Sequence, residues 1–292
     1  MATAPARLRE ALERDGVVRA PGVYDGISAR LAQEVGFEAA YVTGGGAATA
    51  VIGLPDLGLM TMTEMATHGR QLVGAVDIPL IADADTGYGN ALNVARTVRE
   101  YERAGLAGLH IEDQVFPKRC GHLPNKEVIP AEEMAAKIEA AVEARQDRDF
   151  VIIARTDSRA PLGLDEAVRR ANIYAEAGAD LLFVEAPRSA AEVQQIGASV
   201  KGPLLINMIA KSDTPPVSLQ ALETWGFKVA IFPLVCLAAS YHSIRRTLQH
   251  LMETGDDDMG EGNLEPRELF ALVGLDEWLE REQRYAKRSG AA

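Results

Sequence analysis

The sequence predicts an α/β protein whose parallel strands close into a (β/α)8 TIM barrel, with extra helices at its C-terminal end. Three observations lead there. Eight short apolar runs recur along the 292 residues, separated by amphipathic stretches. The runs are nearly continuous in apolar residues rather than alternating, the pattern of strands covered on both faces by helices. A Gly followed at once by another apolar residue closes the stretch before several runs, as at Gly36-Phe37, Gly105-Leu106, Gly178-Ala179 and Gly226-Phe227. Glycine tolerates the left-handed conformation after a helix, and the next residue turns the chain into the strand. Such regularity is a weak internal repeat of βα units. An open doubly wound sheet would carry a Gly-rich dinucleotide fingerprint after its first strand. Gly44-Gly45-Gly46 follows the second run instead, and lacks both the spacing and the acidic partner.

In chain order, strands are expected at 17–24, 39–43, 79–83, 108–112, 150–156, 181–185, 203–207 and 229–234. Helical patterns at 93–104, 131–144, 165–177 and 219–225 lie between them. Beyond residue 235 the chain stays helical, over 237–254 and 267–287, which exceeds what one closing unit needs. Leu269, Phe270, Leu272, Val273 and Leu275 add apolar content that a closed barrel does not use, so these helices are expected to pack against another subunit of a homotetramer. Residues 1–250 read as the catalytic barrel and 251–292 as a helical extension of the same domain.

A hydrophobic content of 47% supplies a full core, and the net charge of -12 argues against nucleic acid or an anionic membrane as partner. Glu253, Asp256, Asp257, Asp258 and Glu261 crowd a Gly-containing segment that reads as a solvated loop. Two cysteines, Cys120 and Cys236, make no disulfide framework, so a reducing cytoplasm is expected. The N-terminal residues show no apolar signal core, and no apolar run approaches the ~18 residues of a membrane span.

In a barrel of this kind, chemistry gathers where the strands end. The runs end in Tyr41 and Thr43, Asp83 and Asp85, Glu112 and Asp113, Arg155 and Asp157, Glu185, and Asn207. Each has a structural alternative: Asp157 as a helix cap, Asp113 bonding loop amides, Arg155 paired with Glu185. Together they read as a site. Asp83, Asp85, Glu112 and Asp56 are hard oxygen ligands without accompanying His or Cys, which suits Mg2+ or Mn2+. Arg155, with the backbone amides of Thr43-Gly44-Gly45 and Cys120-Gly121, would hold substrate carboxylates. A divalent ion on a 2-oxo or 2-hydroxy carboxylate would stabilise an enolate-like transition state. The stretch Lys118-Arg119-Cys120-Gly121-His122 sets a thiol among cationic neighbours in a loop flanked by Pro117 and Pro124. Those neighbours are expected to lower the Cys120 pKa and let it exchange a proton near neutrality. The bland reading is a solvated basic loop. His68, His242 and His250 read as surface or packing residues, His110 as a buried hydrogen-bonded one, and Cys236 as core.

The motifs Tyr41-Val-Thr-Gly-Gly-Gly, Gly53-Leu-Pro-Asp-Leu-Gly, Asp83-Ala-Asp-Thr-Gly-Tyr-Gly-Asn, Gly108-Leu-His-Ile-Glu-Asp-Gln, Lys118-Arg-Cys-Gly-His and Ile153-Ala-Arg-Thr-Asp resemble, in order, the isocitrate lyase and phosphoenolpyruvate mutase superfamily. The resemblance spans about residues 10–250. It implies a (β/α)8 barrel, Mg2+, a mobile loop carrying Cys120, and a tetramer whose C-terminal helices swap between subunits. In the lyases of the superfamily the thiol protonates the enolate left by C–C cleavage. The chain departs from the methylisocitrate lyase branch after the seventh strand, where Asn207-Met-Ile-Ala-Lys-Ser-Asp stands, and at Ala238. Those family positions grip a third carboxylate, so the departure argues against a tricarboxylate. Ala210-Lys211-Ser212 also replaces the Glu-Gly-Gly of dimethylmalate lyase and carboxyphosphonoenolpyruvate mutase.

The expected function is Mg2+-dependent cleavage of a small 2-hydroxy dicarboxylate, methylisocitrate- or dimethylmalate-like, to a 2-oxo acid and a carboxylate. Cys120, Tyr41, Arg155, Lys118, His122 and Glu185 form the expected catalytic set. Thr43, Gly44, Gly45, Gly121 and Asn207 are expected to bind substrate. The alternatives are a phosphonomutase, an oxaloacetate hydrolase or a decarboxylase on the same scaffold, or a non-catalytic barrel that binds a metabolite.

Overall fold

Eight parallel strands close on themselves in chain order, β1 pairing with β8. They are β1 (Val18–Val23), β2 (Ala40–Val42), β3 (Leu80–Asp83), β4 (Gly108–Glu112), β5 (Val151–Thr156), β6 (Leu181–Val184), β7 (Leu204–Asn207) and β8 (Phe227–Phe232). The computed structural model describes residues 2–260 and 262–289; Met1, Glu261 and residues 290–292 lie outside them. Each expected strand is present, and the closed barrel is the architecture that the apolar runs demanded. The helices are α1 (Ala4–Glu13), α2 (Gly26–Val35), α3 (Gly44–Ala47), α4 (Met62–Val73), α5 (Ala91–Ala104), α6 (Ala131–Ala144), α7 (Arg159–Leu162), α8 (Leu164–Glu176), α9 (Ala190–Ser199), α10 (Leu219–Thr224), α11 (Val235–Thr254), α12 (Pro266–Leu272) and α13 (Leu275–Ser289), with a π-turn at Ala48–Ile52.

Local chemistry sets the boundaries. Asp25, Thr61 and Asn90 cap α2, α4 and α5 through reciprocal capping boxes. Gly36 and Gly105 end α2 and α5 in the left-handed region, at φ 96° and 88°. The single helix expected over 267–287 is two. Gly274, at φ 87°, separates α12 from α13.

The residues divide into two cores by strand parity. Ile81, Val151, Ile153, Phe183, Leu205 and Ile231 fill the barrel interior, and Leu8 and Ala11 of α1 join them beside the strand-start residues Val18 and Ala39. Helix α1 thus closes the N-terminal end of the barrel. Their neighbours Ala82, Ile152, Ala154, Val184 and Ile206 face outward, against Val98 and Tyr101 of α5, Ile138 of α6 and Tyr174 of α8. Both strand faces are covered, which explains the absence of alternation in the sequence.

The C-terminal helices behave differently. Among the described residues, α11, α12 and α13 bury no side chain. Tyr241, Ile244, Leu248 and Met252 are exposed and line, with Tyr24 and Leu237, a groove of about 930 Å³. No helix among the described residues is long and apolar enough to cross a membrane.

Candidate active site

The two-residue period of a strand decides which side chains reach the barrel mouth. Ile81, Ile153, Phe183 and Leu205 point into the interior. Asp83, Arg155, Glu185 and Asn207, two positions further along, therefore turn the same way at the C-terminal end. His110 and Glu112 share one parity on β4. All six are buried. Asp83, Arg155 and Asn207 line a pocket of about 280 Å³ together with Tyr41, Thr43, Gly45, Asp56, Cys120, Gly121 and His122.

One wall is anionic and is threaded by a lysine. Lys118 Nζ pairs with Asp56 and lies 2.9 Å from Asp85 Oδ1. Burial opposes the charge of Asp83, but His110, Lys118 and Arg155 overcome it and hold the carboxyl down at about 2. Burial pushes Asp85 up to about 7, with repulsion from Asp83 and Asp56 acting against the pull of Lys118. Burial also raises Glu112, and its Oε2 has no hydrogen-bond partner. The Tyr41 hydroxyl donates to Asp83 Oδ2 at 3.2 Å and meets His110 Nε2 at 2.7 Å. Burial depresses the His110 pKa, and with the Tyr41 hydroxyl donating to Asp83 the short contact takes a proton on His110 Nε2, leaving Nδ1 without a partner.

The chain after β3 is strained and tied down from behind. Asp85 and Tyr88 adopt positive φ, 45° and 61°. Tyr101 of α5 donates to the Asp83 carbonyl at 2.9 Å, and Lys137 of α6 to the Thr86 carbonyl at 3.1 Å. Gly44 is required by close approach, since a Cβ there would collide with the Asp83 carboxylate.

The opposite wall centres on Arg155. Its Nε and Nη2 donate to Asp157 Oδ2 and Oδ1 at 2.8 and 3.1 Å, while Glu112 and Glu185 stand at 3.4 and 4.0 Å. Asp157 is therefore the arginine's partner rather than a helix cap, and it also receives Lys126 Nζ at 2.8 Å. Asp113 faces outward and accepts from Thr156 Oγ1, the Asp157 amide and Tyr174. Glu185 accepts from Asn207 Nδ2 at 3.1 Å and has His122 Nε2 at the same distance.

The loop bearing Cys120 folds onto this mouth. Its stem is a bridge between Gln114 and Val128, and Gln114 also binds the Arg119 amide and carbonyl. The Cys120 amide donates to the Asp56 carbonyl at 3.2 Å. Gly121 presses so close to the barrel that a Cβ would lie 2.5 Å from Arg155 and 2.6 Å from Glu185. The expected activation of the thiol is corrected here. Burial raises the Cys120 pKa, with Asp56 and Glu185 adding to it, while the Lys118 ammonium is turned to Asp56 and Asp85 rather than to sulfur.

The structure thus brings together Cys120, Tyr41, Arg155, His122, Asn207, Thr43, Gly45, Gly121, Asp83 and Asp56 around one pocket. Asp83, Asp85, Asp56 and Gly44 share a small adjoining cleft, and Lys118 bridges two of its carboxylates. Glu112 and Glu185 back the site through Gln114, Asn207 and Arg155. His110, expected to be buried and hydrogen-bonded, touches both Tyr41 and Asp83. Lys126 and Gln114 were missed. Their only signal was position, a polar residue on each arm of the thiol loop.

Among the described residues no three His, Cys, Asp or Glu side chains converge closely enough to hold an ion. The donor set nonetheless fits a hard divalent cation. Asp56 and Asp85 close on the Lys118 ammonium, a positive charge standing where they converge, and Glu112 offers an orphaned buried oxygen.

Comparison with known proteins gives a consistent picture. The family described as phosphoenolpyruvate phosphomutase matches residues 8–252. The chain is 42% identical over 285 residues to 2,3-dimethylmalate lyase of Eubacterium barkeri, covering 96% of this chain and 98% of that one. It is 43% identical over 283 residues to 2-methylisocitrate lyase of Aeropyrum pernix, with 97% and 91% covered. The solved structure of oxaloacetate acetylhydrolase with the inhibitor 3,3-difluorooxalacetate superposes with a TM-score of 0.93 at 37% identity, covering 97% of each chain.

The buried thiol has a measurable consequence. A raised pKa leaves less thiolate at any given pH, so alkylation of Cys120 by iodoacetamide should rise with a midpoint above that of free cysteine. A midpoint below free cysteine would restore the activated thiolate.

Proposed function

Because the chain belongs to the isocitrate lyase and phosphoenolpyruvate mutase superfamily, we propose that it is a metal-dependent carbon–carbon lyase cleaving a small, dimethylmalate-like 2-hydroxy dicarboxylate to a 2-oxo acid and a carboxylate. The observation that carries this reading is the Cys120 thiol, kept protonated by burial, lining the same 280 Å³ pocket as Asp83 and Arg155. A protonated thiol is a donor, and an enolate is the intermediate that needs one.

In retro-aldol cleavage the substrate hydroxyl loses its proton, the bond between the hydroxyl-bearing carbon and its neighbour breaks, and the electron pair passes to the departing carboxylate as an enolate. When bound, Mg2+, or Mn2+ in its place, on Asp83 and Asp85 with support from Asp56 and Glu112, supplies the positive charge that stabilises the oxyanions. Asp83 suits that task, being held ionised at about 2. Tyr41, fixed between His110 and Asp83, presents its hydroxyl to the pocket. Arg155, oriented by Asp157, and the backbone at Thr43, Gly44, Gly45 and Gly121 bind carboxylate oxygens. Glu185 and Asn207 hold His122 at the rim. Cys120 Sγ–H then delivers its proton to the enolate carbon. Lys211, exposed at the pocket rim in a left-handed backbone conformation, adds positive charge for a second carboxylate.

The similarity to oxaloacetate acetylhydrolase keeps hydrolysis of an oxo dicarboxylate as the second reading. The reading also takes 251–292 as an extension of the one catalytic domain and the exposed faces of α11 to α13 as covered by swapped helices of a homotetramer. The two free thiols suit a reducing cytoplasm.

Malate, methylated malates, citramalate, methylisocitrate and oxaloacetate assayed in parallel should show cleavage of a methylated 2-hydroxy dicarboxylate that EDTA abolishes. Cys120→Ser should lose ~10²–10⁴-fold in kcat with little change in KM, since only the transition state feels the weaker acid. Near-full activity of Cys120→Ser, or turnover of oxaloacetate alone, would reject the lyase. Sedimentation at micromolar concentration should give a tetramer; a monomer would remove the helix-swap reading.

A further inference from the structure

Lys126 is a buried lysine to which the proposed chemistry assigns no task. It is 6% exposed, and its ammonium makes two contacts, one to Asp157 Oδ1 at 2.8 Å and one to the Gly121 carbonyl. Burying an ammonium is costly unless it is paired and hydrogen-bonded, so this position is built rather than incidental. The two acceptors belong to different parts of the site. Gly121 follows Cys120 in the thiol loop. Asp157 follows β5 and grips Arg155 through two hydrogen bonds, while its own amide is fixed by Asp113. Lys126 is absent from the residues lining the pocket, unlike His122 and Cys120.

We infer that Lys126 is a positioning residue that clasps the thiol loop to the Arg155–Asp157 pair, so that loop closure and the orientation of the arginine are set together. Resting on the lyase reading, it names the group that brings Cys120 and the carboxylate-binding arginine into one geometry. The loop has other ties. Lys118 reaches Asp56 and Asp85, and His122 reaches Glu185. Both of those touch groups that substrate or metal would engage, and they are open to exchange during turnover. Lys126 lies behind the pocket on the returning arm, near the stem where the Val115 amide donates to Glu127 and the Ile129 amide to Asp113. Its two acceptors, the Gly121 carbonyl and the Asp157 carboxylate behind Arg155, are not groups that the proposed chemistry offers to substrate or metal. Gly121 sits within contact of Arg155 and Glu185, so releasing its carbonyl frees the segment next to the thiol.

The test is Lys126→Met, which keeps most of the unbranched side chain and removes the charge and donors, with Lys126→Gln as a milder variant that retains a donor. In protein without substrate or metal, iodoacetamide should alkylate Cys120 roughly ten- to a hundred-fold faster in Lys126→Met, as expected for loss of charge-assisted hydrogen bonds. Lys126→Gln should fall between it and the parent. Cys236, which lies on α11 away from the loop, should react at an unchanged rate in both, showing that the barrel stays folded. With substrate, kcat should fall by a similar factor. An unchanged Cys120 rate overturns the clasp, as does a parallel rise at Cys236. Should the chain not prove to be a lyase, the difference between Cys120 and Cys236 still decides the role of Lys126, because alkylation needs no turnover. If Lys126→Met does not fold, Lys126→Gln carries the same comparison.

Discussion

Five carboxylates, Asp83, Asp85, Glu112, Asp157 and Glu185, crowd the mouth of the barrel, each 7% exposed or less. Carboxylates buried in such numbers are untenable without compensating charge. The barrel itself supplies Arg155, and further positive charge comes from the loop after β4, whose Lys118 and Lys126 ammoniums each meet a carboxylate. The loop is thus part of the electrostatic structure of the site. Its lysines answer the needs of the barrel's acids, and at the Cys120 sulfur burial outweighs the charges that remain.

That division explains why the thiol differs from its expectation. Adjacent cations in a sequence suggest a stabilised thiolate. In three dimensions Lys118 and His122 turn towards Asp56, Asp85 and Glu185, and burial dominates at sulfur. A protonated thiol suits delivery of a proton better than an activated nucleophile does. The same environment that disfavours the thiolate makes the S–H available to an anionic carbon.

Much of this was legible in the sequence because strand parity is rigid. Continuous apolar runs ending in polar residues gave both the barrel and the ring at its mouth. The run 108–112 coincides with β4. Side-chain pairing was not legible, since it depends on where a loop of many residues lands. A helix cap was the structural alternative for Asp157, yet it holds Arg155 and Lys126. His110 was read as a buried, hydrogen-bonded residue, and it is one; what the sequence did not show is that its partners are Tyr41 and Asp83. The break at Gly274 was hidden because the apolar content on both sides suits one long helix as well as two.

The central claim is that a thiol proton is placed on the carbon released by C–C cleavage. Turnover of a 3-methylated malate in D2O with Mg2+, followed by NMR of the carboxylate product, reads that event directly. The account predicts propionate carrying one solvent deuterium at the carbon that was bonded to the hydroxyl-bearing carbon, in a single configuration. Propionate labelled equally in both configurations would mean that solvent, not Cys120, protonates a released enolate, and would contradict it.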